Sequence, residues 1–298
     1  MVEPLRYLQP SVVAQLSNME LRARLVVEGF ITGLHKSPYH GFSVEFAQHR
    51  PYMPGDEIRH IDWKAYGKTD RFFIKQFEEE TNLRSHIILD ASRSMQFASA
   101  KNLSKYEYAS FVAAALAYLM VEQRDAVGLT IYDEAIRVSL PPRATRLYLN
   151  QLLKELELQT PAAATKTSAT LHTIAERMKR RGLVIILSDL FDDPQAVLTA
   201  LKHFRYRGHE VLVMQILDPL ERSFAFGADA VFRDLETREE ITTQPWHIQK
   251  AYQESMRDFV DLYRRECLDH NIDYILLDTA TAFDKALTEY LNKRKRMH

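Results

Sequence analysis

The sequence is poor in two residue types on which whole classes of protein depend. It contains one cysteine, Cys267, in 298 residues, so an internal disulfide is impossible and a disulfide-built secreted domain is excluded. It contains only 9 glycines, against a usual share of roughly 7% of residues. None of them has the GxxxxGK or GxGxxG spacing, which argues against a Walker-type ATPase or a Rossmann-type dinucleotide binder.

The sequence also lacks excess charge of either sign and any long apolar run. Lys and Arg number 39 and Asp and Glu 40, for a net charge of -1, which argues against a protein that mainly coats nucleic acid or an anionic membrane. The longest uncharged apolar run, 14 residues between Glu107 and Glu122, is shorter than the roughly 20 residues that cross a bilayer. The N-terminus carries Glu3 and has no apolar signal-peptide core. We therefore expect a cytoplasmic protein that binds neither nucleic acid nor membrane.

The first part of the chain has a pattern different from the rest. Apolar spacing predicts a helix over residues 11–34. Residues 35–81 are rich in His, Pro, Tyr and Phe, and Phe42, Val44 and Phe46 alternate as in a strand. We predict an N-terminal helix and β-rich subdomain over residues 1–83, and a second domain over residues 84–298.

From residue 84 onward, short apolar runs alternate with amphipathic segments. The runs predicted as strands are 86–90, 126–132, 183–188, 211–217 and 272–277. Ser104 and Glu107 form a capping box that opens one of the helices between them. Buried strands separated by helices predict an α/β fold with a doubly wound, mainly parallel sheet. Ligands of such sheets bind beyond the carboxyl ends of the strands.

Side chains bearing oxygen follow two of these strands. Asp90, Ser92 and Ser94 come directly after the first one, in LDASRSM, and Asp189 follows the strand that ends at Ser188. Carboxylate and hydroxyl oxygens are hard ligands that suit Mg²⁺ or Mn²⁺ and not zinc. Each residue could instead be a helix cap or a turn residue, but their arrival at one edge of the sheet favours a metal site.

The order DxSxS, then Thr, then Asp resembles the metal-ion-dependent adhesion site (MIDAS) of von Willebrand factor A domains. The threonine that matches this order is Thr165. Ala164, just before it, stands where that family usually has Gly, and Thr167 lies close by. The resemblance implies a von Willebrand factor A (Rossmann-like) fold with a divalent cation at the adhesion-type site. The implied ligands are Asp90, Ser92, Ser94, Thr165 and Asp189.

The stretch before the sheet resembles the domain-of-unknown-function 58 family. It carries GxSxEF at 41–46, RxYxPGD at 50–56 and RxIDW at 59–63. Many members of that family are encoded beside MoxR-type AAA+ ATPases, and none has a firmly assigned catalytic activity. The resemblance therefore implies an adaptor for such an ATPase or its client. The RxIDW segment could form a partner surface through Arg59, Asp62 and Trp63 together with Asp56, although pairing among these Arg and Asp side chains to fix a small sheet is the simpler interpretation.

Two classes of function stay open. The first is a non-enzymatic, metal-dependent protein-interaction module, in which a protein partner supplies an acidic side chain to an open position on Mg²⁺. The alternative is a Mg²⁺-dependent phosphohydrolase with Asp90 as nucleophile. Haloacid-dehalogenase-like phosphatases usually have a second Asp two residues after the nucleophile, where this chain has Ser92, and the only evident basic group nearby is Arg93. A scaffold with an empty site is a third interpretation.

Overall fold

The computed structural model of the protein describes most of the chain from residue 83 onward and parts of the chain before it. The described ranges are 10–16, 18–35, 49–51, 66–67, 70, 72–75, 83–99, 102–162, 166–226, 230–233, 240–243 and 245–296. Most of the predicted β-rich region, including the RxIDW motif, therefore lies outside the described residues. The predicted site residue Thr165 lies outside them as well. The described N-terminal elements are helices α1 (Pro10–Val13) and α2 (Met19–His35) and the antiparallel strands β1 (His49–Pro51) and β2 (Phe73–Lys75).

A six-stranded sheet forms the centre of the molecule. Its strands are β3 (Arg84–Asp90), β4 (Ala126–Tyr132), β5 (Ile136–Arg143), β6 (Leu183–Ser188), β7 (Glu210–Leu217) and β10 (Asp273–Asp278). The spatial order is β10-β7-β6-β3-β4-β5, and every neighbouring pair is parallel except β4 and β5. Two further strands, β8 (Ala230–Arg233) and β9 (Glu240–Thr243), form a separate antiparallel pair. The predicted doubly wound, mainly parallel α/β fold is confirmed.

Helices cover both faces of this sheet. They are α3 (Lys105–Glu122), α4 (Arg146–Leu158), α5 (Thr167–Arg177), α6 (Pro194–Tyr206), α7 (Pro219–Ser223), α8 (Pro245–Asp269) and α9 (Asp284–Arg296). A short 3-10 helix, Arg93–Gln96, follows β3. Within the described ranges, no helix combines the length and the apolar character that crossing a bilayer requires.

The alternation of side chains along β3 divides the core into two hydrophobic clusters. Ile87 and Leu89 pack with apolar residues of α2, α3, α4 and α9. Ile88 packs on the opposite face with residues of α5, α6 and α8. Because side chains alternate between the two faces of a strand, three successive apolar residues feed both clusters. The N-terminal helix α2 shares the first cluster through Val26 and Phe30.

Strand β5 was not among the strands predicted from the sequence. It carries Pro141 and Pro142, and its residues alternate between half-buried and exposed over much of its length. Proline donates no ladder hydrogen bond and is confined to edge strands and bulges, and β5 is an edge strand whose pairing with β4 is interrupted by register shifts. Its weak pattern follows from that position.

The order of the strands creates a switch point between β3 and β6. From β3 the chain continues outward to β4 and β5, and it then returns to β6 on the other side of β3. Connections leaving in opposite directions open a crevice at the carboxyl ends of the two strands. Asp90 and Ser188 are the last residues of β3 and β6, so both stand at this crevice.

Candidate metal centre

The DxSxS segment forms a tight turn directly after β3. The backbone N–H of Ala91 donates to the carbonyl of Tyr132 at 2.6 Å, which continues the pairing with β4 by one residue. The N–H of Ser92 then donates to Oδ1 of Asp90 at 2.8 Å, a side-chain turn typical of Asp. As a result the hydroxyl oxygens of Ser92 and Ser94 lie 3.0 Å apart. Ser92 is buried and Ser94 is half-buried.

The Asp90 carboxylate is surrounded by hydroxyl groups. Its Oδ2 accepts a hydrogen bond of 2.6 Å from Ser188 and a longer one of 3.3 Å from the Tyr132 hydroxyl. The Thr167 hydroxyl lies at 3.5 Å. Among the described residues, no cationic side chain pairs with Asp90, whose exposed fraction is 0%. Burial, followed by the charge of Asp189, raises the pKa of Asp90 to about 6.

The Asp189 carboxylate, one residue beyond β6, has a different environment. Its Oδ2 accepts from the ammonium group of Lys105 at 2.7 Å. The same ammonium donates to Glu221 at 2.6 Å and lies 4.7 Å from the ring centre of Phe191. Burial opposes the charge on Lys105, but Asp189 and Glu221 outweigh it and raise the pKa of Lys105. Asp189 is therefore compensated by a cation of the protein.

The sequence did not single out Lys105 as a site residue. The capping box predicted at Ser104 and Glu107 is present, and it makes Lys105 the first residue of α3. Its side chain is completely buried, whereas a lysine in a first helical turn is ordinarily exposed. Nothing in the spacing of the sequence indicates that this lysine meets an acid 84 residues away.

The chain bends sharply where β6 ends. Leu190 adopts a left-handed conformation with φ of 61°, which is costly for a bulky residue. Two side chains hold it: Ser188 Oγ accepts from the Leu190 N–H at 2.9 Å, and the Tyr263 hydroxyl donates to the Leu190 carbonyl at 3.3 Å. This bend lets Ser188 donate to the Asp90 carboxylate while the next residue, Asp189, accepts from Lys105.

The loop before α5 brings a threonine to the cluster. Thr165 lies outside the described residues, and Thr167, the buried first residue of α5, is the one whose hydroxyl approaches Asp90. The guanidinium group of Arg93 donates to the carbonyl of Ala162 at 3.0 and 2.7 Å. The side-chain amide of Gln96 donates to the Pro161 carbonyl at 2.5 Å, so both contacts fix residues 161–162 against the 3-10 helix. The Arg93 guanidinium therefore binds the loop before α5.

The donor atoms at Asp90 suit a hard divalent cation. Adjacent ligands of octahedral Mg²⁺, each at about 2.1 Å, lie roughly 3.0 Å apart by right-angle geometry, which is the separation of the Ser92 and Ser94 hydroxyls. Within the described ranges, no group of three or more His, Cys, Asp or Glu side chains is placed to hold a metal ion. A site here would therefore depend on one carboxylate and hydroxyl oxygens. Asp189 fits less directly, because Lys105 already donates to its Oδ2.

The sheet order, the single antiparallel edge strand and the polar cluster at the switch point define a von Willebrand factor A-like α/β domain. The chain belongs to the family described as "Protein of unknown function DUF58", which matches residues 48–260. This match confirms the family resemblance inferred from the RxYxPGD and RxIDW motifs.

The chain is similar in sequence to mycobacterial proteins and similar in fold to several solved structures. An uncharacterized protein of Mycobacterium tuberculosis and one of Mycobacterium bovis are each 28% identical over 231 residues, covering 76% of this chain and 72% of theirs. The crystal structure of BatB from Bacteroides thetaiotaomicron is 17% identical, covers 72% of this chain and 99% of its own, and has a TM-score of 0.48. The SpRpn10 VWA domain is 10% identical, covers 70% and 95%, and has a TM-score of 0.42. Both scores are low, so the fold assignment rests on the strand order of this chain.

Proposed function

We propose that this protein is a non-enzymatic, metal-dependent protein-interaction module. In this proposal Mg²⁺ or Mn²⁺ binds at Asp90, Ser92 and Ser94, with a threonine of the 165–167 loop and Asp189 completing the surroundings. The observation that supports it most is the state of Asp90, a fully buried carboxylate held by hydroxyls with no cation of the described protein paired to it. A buried charge without a partner is costly, and an external cation would remove that cost.

The residues around Asp90 would orient it toward the ion. Ser188 and Tyr132 donate to Oδ2, and the Ser92 N–H donates to Oδ1, so the carboxylate cannot rotate freely. Such supporting hydrogen bonds fix ligand direction in metal sites. The ion, when bound, would supply a positive centre with an open position for an acidic side chain of a partner. Because Lys105 already compensates Asp189, the ion would keep more of its charge for that partner.

The family suggests which partner to test first. The resemblance to the domain-of-unknown-function 58 family implies an adaptor for a MoxR-type AAA+ ATPase or its client, and membership of this family is shown. We therefore propose such an ATPase or client as the protein that supplies the acidic side chain.

The phosphohydrolase alternative has less support. A nucleophilic Asp90 would have to reach a phosphorus atom, yet it is fully buried and both its oxygens accept hydrogen bonds. The two cations close to the cluster in the described structure, Arg93 and Lys105, are both engaged, one with the Ala162 carbonyl and one with carboxylates. A phosphate group would meet neither of them free.

Metal dependence of both binding and stability tests the proposal. Isothermal titration with Mg²⁺ and Mn²⁺ should show one site in the wild type and none in the Ser92→Ala/Ser94→Ala variant. A matched control, Ser139→Ala/Ser255→Ala, removes two exposed hydroxyls elsewhere and should bind the ion normally. Capture of the candidate ATPase should be lost in EDTA and in the first variant only.

Two results would contradict the proposal. One is unchanged metal affinity when both site hydroxyls are removed. The other is Mg²⁺-dependent hydrolysis of a phosphate ester that disappears in Asp90→Asn, which would establish the enzymatic alternative.

A further inference from the structure

A cavity lies toward the opposite end of the parallel strands, beside the residues at which β3 and β6 begin. It has a volume of about 340 Å³, within the range of roughly 300–1,000 Å³ typical of small-molecule sites. We call it the basal pocket and define it by Arg84, His86, Thr130, Ser139, Ile174 and Arg180, which are among its lining residues. Arg84 and His86 of the pocket belong to the first half of β3, whereas Asp90 is the last residue of that strand.

The mouth of the basal pocket is positively charged. Arg84, Arg177, Lys179 and Arg180 line it, and no acidic side chain does so among the described residues. All four lack an ion pair or side-chain hydrogen bond within the described part of the chain, and all but the half-buried Arg84 are exposed. Four unpaired cations around one concavity raise the local concentration of anions, although the chain as a whole carries a net charge of only -1.

The interior of the basal pocket is mainly apolar, with a small polar floor. Ile136, Ile174 and Met178 contribute apolar walls. On the floor, the buried His86 ring is 2.7 Å from the Thr130 hydroxyl through its Nε2. An apolar cavity with a few convergent polar groups is the usual composition of a ligand site. Inorganic phosphate would contact the cations at the mouth and would not contact these apolar walls.

From these features we propose that the basal pocket binds a small amphipathic anion, with an apolar body in the cavity and a phosphate or carboxylate group at the four cations. Its size suits a body of one or two rings. The site goes beyond the proposed function, because it shares no residue with the Asp90 cluster and needs no metal ion.

Binding of 1-naphthylphosphonate, followed by titration calorimetry on the full chain, tests this site. No phosphohydrolase can release naphthol from this probe, because its phosphorus–carbon bond has no ester oxygen. Arg177→Gln/Arg180→Gln should weaken binding at least tenfold. The matched control Lys154→Gln/Lys250→Gln removes the same charge from exposed positions elsewhere and should change affinity less than twofold. Ser139→Trp, an exposed residue at the wall, should fill the cavity and abolish binding.

Related probes separate the contributions of charge and apolar body. 1-Naphthoate distinguishes a carboxylate ligand from a phosphate ligand. Inorganic phosphate and uncharged 1-naphthol should each bind at least tenfold more weakly than the better of the two anions, and EDTA should have no effect. Equal affinity of the two double variants, or naphthol binding as tightly as the anions, would overturn the proposal. So would the absence of measurable binding of both naphthyl anions to the wild type.

Discussion

Asp90 and Asp189 occupy nearly equivalent positions in neighbouring strands but have opposite electrostatic surroundings. Asp90 ends β3, Asp189 follows β6, and both are completely buried. Asp90 is held by neutral hydroxyls, whereas Asp189 is paired with the buried ammonium of Lys105. The difference shows that one carboxylate is already neutralised inside the protein and the other is not.

Under the proposed function, this difference gives the two strand ends separate roles. Removing one partner of a buried ion pair is strongly destabilising, and Lys105 links the start of α3 to Asp189 after β6 and to Glu221 within α7. A buried carboxylate without a cation instead leaves room for an external one. Position at a strand end therefore does not determine the electrostatic surroundings of a carboxylate, because the helix packed beside it supplies the cation to one and not to the other.

Removing the internal cation should have the largest effect. Lys105→Met leaves Asp189 and Glu221 close together without a positive charge, and breaking a buried pair in this way costs about 3–5 kcal/mol. Urea unfolding of the wild type and the variant measures the loss. Lys202→Met, which breaks a half-exposed pair with Glu266, serves as the control and should cost about 1 kcal/mol or less. A loss in Lys105→Met no larger than in the control would show that the buried pair has no structural role.

Neutralising each carboxylate in turn should separate metal binding from structure. Free Mg²⁺ at about 100 times its Kd adds ~2.7 kcal/mol to the stability of a protein that binds it only when folded. We expect Asp90→Asn to lose this increment completely and Asp189→Asn to keep part of it. The readout is the increment caused by Mg²⁺ within each variant, since Asp189→Asn also disturbs Lys105. Equal loss in both variants would instead support Asp189 as a direct ligand, as the MIDAS resemblance implies.

At the other end of β3, a buried histidine should make stability depend on pH. Burial, with a smaller effect of His209, lowers the pKa of His86 from 6.5 to about 4. As the pH decreases, the unfolded chain therefore takes up a proton on this histidine before the folded protein does. The contribution of neutral His86 to the free energy of unfolding is fully present above pH 6.5 and is lost as the pH decreases toward 4. By linkage this loss is about 2 kcal/mol at pH 5.

Comparison with a variant isolates the contribution of His86 from that of other groups. The stability of His86→Gln, measured by urea unfolding between pH 7.5 and 5, should fall by about 2 kcal/mol less than that of the wild type. Parallel pH profiles for the two proteins would contradict a neutral buried His86.

The smallest effect concerns the cap that positions Lys105. Ser104 Oγ accepts from the Glu107 N–H at 3.2 Å, and Glu107 accepts from the Ser104 N–H at 2.9 Å. Ser104→Ala should cost about 1 kcal/mol of stability, because one exposed end of α3 loses its side-chain acceptor. Mg²⁺ affinity should be unchanged, since Lys105 remains held by two carboxylates. A large loss of affinity would indicate that the start of α3 controls the Asp90 cluster as well.

Several features were predictable from the sequence because they depend on neighbouring residues. Ser104 and Glu107 are three residues apart and form their box locally. Asp90 and Ser92 form their turn through a bond across two residues. The alternation of apolar runs and amphipathic segments was enough to predict the doubly wound sheet, although the edge strand β5 was missed because its prolines and exposed residues obscure its pattern.

The environment of each carboxylate was decided only by the tertiary structure. The sequence by itself determined that Asp90, Ser92 and Ser94 follow one strand and Asp189 another, because a strand and its turn are written in consecutive residues. The pairing of Asp189 with Lys105 spans 84 residues, and that of Ser188 with Asp90 spans 98. Contacts over such distances depend on which strands become neighbours and on how a helix packs across them. No local sequence pattern predicts the strand order or the helix packing, because the free energy that stabilises them comes from burying both faces of the whole sheet.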